Sequence, residues 1–90
     1  MSEIARTVLI TNKRGLHARA SAKFVTLASS QPCEVQVRKD DGAVTGTSIM
    51  GLMMLGAAMG DEITISAAGD GAETAVGALV ELVEAKFGED

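Results

Sequence analysis

Tryptophan and tyrosine are absent from the 90 residues, and phenylalanine occurs only twice. The apolar fraction is still 47 %, so any core must be built from Val, Ile, Leu, Met and Ala. That composition fits helices laid on a sheet. Stacking aromatics are missing and the net charge is −4, which argues against a nucleic-acid partner. The single cysteine, Cys33, excludes an internal disulfide and the cysteine-stapled class of small secreted domain. Cys33 itself is expected as a small buried hydrophobe opening a strand. No second Cys or spaced His offers a metal site, and nothing implies a cofactor. No apolar run approaches the ~20 residues of a membrane helix. The longest, Ile49 to Met59, is broken by two glycines, and no charged-then-apolar leader precedes it. The expectation is one cytoplasmic, soluble, monomeric domain over residues 1–90, with no membrane partner.

Acidic residues are missing from Ile4 to Cys33, where Arg6, Lys13, Arg14, Arg19 and Lys23 all fall. Eleven of the twelve acids lie from Glu34 onward. A locally basic region on an acidic chain points to an anion or an acidic partner surface there, although ordinary solvated charge gives the same pattern.

Periodicity divides the chain into seven elements. Val8 and Ile10 share one face of a strand from Ala5 to Thr11, and Asn12-Lys13-Arg14-Gly15 follows as a turn-rich loop. Ala20, Phe24, Leu27 and Ala28 form one face of a helix from Ala18 to Ser29, which Pro32 closes. Cys33, Val35 and Val37 alternate with polar residues in a second strand. Asp41-Gly42 then signals a hairpin, with glycine taking positive φ, and Ala43 to Gly46 returns as a third strand. Ser48 suits the N-cap of a short apolar helix reaching Leu55. Ile63 and Ile65 mark a fourth strand after Gly60-Asp61. Ala72, Val76, Leu79, Val80, Val83 and Phe87 form the stripe of a last helix. The order β-α-β-β-α-β-α implies an α+β, open-faced two-layer sandwich. A four-stranded antiparallel sheet carries three helices on one face.

His17 is the only histidine, two residues after Gly15 and just before a helix whose first turn holds Arg19. A helix N-terminus presents unpaired N–H groups and partial positive charge, and so binds phosphate readily. Arg19 adds a fork of donors matched to phosphate oxygens, and imidazole is a nucleophile at neutral pH. A merely solvated or capping histidine would fit the same position.

Gly15-Leu16-His17-Ala18-Arg19, with Ala22, Phe24 and Val25 following, resembles the active-site segment of the HPr family. These are the histidine phosphocarriers of bacterial phosphotransferase systems. A second segment, Ser48-Ile49-Met50-Gly51-Leu52-Met53-Met54-Leu55-Gly56, matches at the expected distance. The resemblance spans nearly the whole chain, including the element order and the Ala67-Ala68-Gly69-Asp70 turn. It implies that His17 accepts a phosphoryl group on Nδ1 from Enzyme I, that Arg19 helps hold it, and that an EIIA-type protein receives it. Ser48 would match the serine modified by a regulatory kinase/phosphorylase in some members. The sequence departs from the family at Ala20, where proline is common, so a looser first helical turn is expected. Thr47 stands where lysine is frequent. The wording of both motifs resembles the nitrogen-related branch, or a single carrier serving without a full sugar system, more than the sugar-transport type.

The resemblance also points to a partner surface made of Ala20, Lys23, Ile49, Met50, Met53 and Met54. On so short a helix these apolar residues cannot all face one core, and methionine adapts to several partners. Leu52 and Leu55 are expected in the core. Phosphorylation of Ser48 would add about −1.5 to −2 charges at a helix end inside that patch. No acid near His17 in sequence could serve as a hydrolytic base, which suits a carrier more than an enzyme. The competing possibility is a non-catalytic regulatory module whose His17/Arg19 helix end only holds an anion or an acidic partner. An enzyme with its own small substrate is the weakest, because no further catalytic set is present.

Overall fold

In the computed structural model, residues 3–89 are described. Strand β1 (Glu3–Leu9) leads to helix α1 (Ala18–Ser29). Strands β2 (Val35–Lys39) and β3 (Gly42–Thr45) form a hairpin, followed by helix α2 (Ile49–Met54). Strand β4 (Glu62–Ala68) and helix α3 (Ala72–Glu84) complete the fold, and a short 3-10 turn, Lys86–Gly88, follows. The strands lie in the order β1-β4-β2-β3, every neighbouring pair antiparallel. This is the open-faced α+β sandwich, with its helices on one side of the sheet.

Alternation sets which side that is. Val8 opposes Ile63 across β1 and β4, and Val37 opposes Ile65 across β2 and β4. All four are buried. Phe24 from α1, Leu52 from α2, and Val76, Leu79 and Val83 from α3 close over them, each essentially inaccessible to water. Burial of side chains of this size stabilises by about 1.5–3 kcal/mol each. The opposite sheet face is polar, with Thr7 and Thr64 joined by a hydroxyl hydrogen bond of 2.9 Å.

Four local expectations are corrected. Strand β1 covers Glu3–Leu9, not Ala5–Thr11; pairing persists past it through bonds of 2.8 Å from the Ile10 N–H to the Asp61 carbonyl and from the Gly60 N–H to the Ile10 carbonyl. The hairpin loop is Asp40-Asp41, and Asp40 (φ 53°), not Gly42, takes the left-handed conformation. Asp tolerates that region because its short polar side chain can bond locally. Cys33 precedes β2 and is half-buried against the core edge. Finally, α3 stops at Glu84. Phe87 is buried, but it gets there by a left-handed turn beyond the helix.

Candidate functional site

The loop after β1 delivers His17 to the start of α1. Gly15 (φ 62°) lies where a Cβ would stand 2.4 Å from the Ala57 carbonyl oxygen, so only glycine fits. The next N–H, of Leu16, donates to that same carbonyl at 3.0 Å. Leu16 is buried and pins the loop end. His17 is then the N-cap of α1 in extended backbone conformation. Its Nδ1 accepts from the Arg19 N–H at 3.3 Å, a long bond by ordinary criteria. The first turn of α1 is closed by the Ser21 N–H on the His17 carbonyl at 2.9 Å, without a proline.

The other ring nitrogen meets a residue that sequence reasoning missed. Nε2 lies 2.5 Å from the Glu89 carboxylate. An ionised carboxylate only accepts, so Nε2 carries a proton and donates, leaving the Nδ1 lone pair turned toward α1. The other carboxylate oxygen accepts from the Asn12 amide at 3.1 Å. Asn12 also donates to the Gly15 carbonyl at 2.9 Å. Hydrogen bonds from His17 and Asn12, with a smaller electrostatic pull from the imidazole N–H and the Lys23 ammonium, hold the Glu89 carboxyl below the ordinary carboxylate value, against partial desolvation.

Glu89 reaches the site because Lys86 (φ 58°), Phe87 (φ 56°) and Gly88 (φ 76°) curl the chain back after α3. Lys23 Nζ donates to the Phe87 carbonyl at 2.7 Å. Lys23 was expected as a partner contact; its ammonium is engaged within the molecule. The acid-free stretch around His17 in sequence is therefore not acid-free in space. No periodic signal could have found Glu89, since it follows the last helical stripe.

His17, with 21 % of its side chain exposed, lies in an open cleft of about 410 Å³ lined also by Lys13, Arg14, Arg19, Lys23, Gly88 and Glu89. Four cations thus surround one carboxylate. No acid occupies the first turn of α1 to oppose an incoming anion.

Ser48 caps α2 as expected, its Oγ accepting from the Gly51 N–H at 3.0 Å. Among the residues expected to contact partners, Ile49, Met50, Met53 and Met54 are exposed, Met54 by 80 %. Met59 and Leu9 are exposed too. Leu52 is fully buried and Leu55 half-buried. Ala20 corrects the list: it is 0 % exposed and offers a partner nothing. It lies one turn before Phe24 on the core face of α1, the face its own periodicity assigns. Among the described residues, no group of three His, Cys, Asp or Glu could hold a metal ion. Among the same residues, no helix is long and apolar enough to cross a membrane.

The family model described as "PTS HPr component phosphorylation site" matches residues 4–85. The phosphocarrier protein HPr of Pseudomonas aeruginosa is 45 % identical over 86 residues, covering 94 % of this chain and 96 % of the relative. The phosphocarrier protein NPr of Shewanella violacea is 40 % identical over 89 residues, covering 99 % and 98 %. A crystal structure of HPr-C-His from Thermoanaerobacter tengcongensis superposes with a TM-score of 0.89 at 48 % identity, covering 100 % of this chain and 99 % of that one. With its helix-capping histidine and basic cleft, this chain belongs to the HPr family of phosphotransferase-system phosphocarriers.

Proposed function

We propose that His17 accepts a phosphoryl group on Nδ1 from phosphorylated Enzyme I and passes it to an EIIA-type acceptor of the sugar or nitrogen-regulatory branch. The domain is the whole chain, 1–90, working in the cytoplasm. The observation that carries this reading is the direction of Nδ1, which faces the first amides of α1 within the cluster of Lys13, Arg14, Arg19 and Lys23. A phosphoryl group on that atom would meet unpaired N–H donors, the positive helix end and the Arg19 guanidinium. In-line transfer between two docked proteins needs mainly positioning and charge stabilisation, so one carrier surface can serve donor and acceptor.

Ile49, Met50, Met53 and Met54 are the docking patch, with exposure as the supporting observation. A kinase/phosphorylase acting on Ser48 would place a dianion at the rim of that patch while leaving the helix cap in place. The test is incubation with Enzyme I and phosphoenolpyruvate, followed by a search for acid-labile, base-stable phosphate. The expected label is lost in His17→Ala with the fold intact by circular dichroism. Label that survives the substitution overturns the reading, and an unlabelled parent leaves the chain as an anion-holding module.

A further inference from the structure

Glu89 is the only acid among the described residues lining the His17 cleft. On charge alone it is misplaced, because it repels an arriving phosphoryl group. The structure nevertheless commits three groups to holding it. Asn12 is fully buried, and both of its amide protons face acceptors, the Gly15 carbonyl and Glu89. That orientation leaves Asn12 Oδ1 buried with no hydrogen-bond partner among the described residues, an unfavourable arrangement elsewhere in a protein. Lys23 fixes the Phe87 carbonyl two residues before it, and His17 Nε2 completes the set.

We propose that Glu89 is a positioning residue that retains the Nε2 proton of His17 throughout phosphoryl transfer. The inference rests on His17 being the phosphoryl acceptor. His17 enters neutral, protonated on Nε2. Its Nδ1 lone pair forms the N–P bond while the donor's bond to phosphorus breaks and the donor atom departs with that electron pair. The product is a phosphoimidazolium whose positive charge lies against Glu89. In onward transfer the N–P bond breaks, its electrons return to Nδ1, and the neutral ring is restored with the same proton. The remaining charged groups at the cleft are Lys13 and Arg14 from the loop, and Arg19 and Lys23 from α1. All four favour loss of that proton, and Glu89 is their counterweight. A deprotonated phosphoimidazole is the poorer leaving group, so Glu89 keeps the phosphoryl group transferable and also hydrolysable.

The parent and Glu89→Gln are phosphorylated with Enzyme I and phosphoenolpyruvate, and the rate of phosphate loss is followed from pH 4 to 9. The expected result is label on His17 in both. The Gln variant should lose phosphate about tenfold more slowly near neutrality, its pH profile displaced to lower pH by about one unit. In the unphosphorylated protein, ¹⁵N-edited NMR should show a slowly exchanging Nε2 proton in the parent that disappears in Glu89→Ala. Superimposable pH profiles of phosphate loss overturn the proposal, whatever the variant does to stability. Failure of the parent to take label on His17 overturns the acceptor reading, and this inference with it.

Discussion

Lys23 Nζ and the Phe87 carbonyl, 2.7 Å apart, join the second turn of α1 to the left-handed turn that follows α3. This bond and the buried Phe87 ring hold a backbone that is unfavourable by itself. Left-handed conformation costs a non-glycine residue about 1–2 kcal/mol, and Lys86 and Phe87 both adopt it. The return for that strain is the placement of Glu89 on His17.

Lys86→Gly should therefore stabilise the protein. Lys86 is exposed and its φ of 58° suits glycine. The expected gain is about 1 kcal/mol, read as a rise in Tm of about 4–8 °C. No gain would mean that the turn carries no strain.

Gly15→Ala tests the opposite case. A methyl group there would press on backbone at Ala57 and Ala58, which has no flexible end to yield. Destabilisation of about 2–3 kcal/mol is expected in urea titration.

Ser48 separates capping from charge. Ser48→Ala removes the bond to the Gly51 N–H and should lower stability by about 1 kcal/mol. Ser48→Asp retains a cap acceptor and should hold stability near that of the parent, while phosphoryl acceptance slows. Equal acceptance rates for Ser48→Asp and the parent would remove the regulatory role.

Met54→Glu probes the docking patch. At 80 % exposure, the substitution should change stability by no more than about 0.5 kcal/mol. The expected effect is a raised apparent KM for the carrier with its partners. An unchanged KM would move docking elsewhere.

The Glu89 pair makes stability depend on pH with a definite sign. The folded carboxyl titrates below its ordinary value of 4.5, chiefly through the His17 hydrogen bond. Its stabilising contribution is complete above that value and is lost as the pH falls through the lower, folded one. Urea midpoints of the parent and Glu89→Gln should differ at pH 6 and converge on acidification through this window. A constant difference would show that ionisation of Glu89 is irrelevant to stability.

The sheet and helices were legible because alternation at Val35 and Val37, and the Ala72–Val83 stripe, report burial directly. His17 was legible because one histidine stood between a glycine-bearing loop and a helix start. Glu89 was not. Its approach depends on three successive left-handed residues, only one of them glycine, and on a contact with Asn12 across 77 positions. Asn12 read as a loop residue, yet it is fully buried. Turn conformation was misassigned at Asp40 for a related reason, since glycine is the usual but not the sole left-handed residue.

The crossing of Gly15 over the Ala57 carbonyl has a consequence for traffic through the molecule. With no space between them, the segment bearing the imidazole and the segment leaving α2 are clasped and must travel together. Under the proposed roles, whatever grips the methionines finds the ring at a fixed offset. Supplier and recipient would then compete for one berth, and the carrier must let go of the first before it can visit the second.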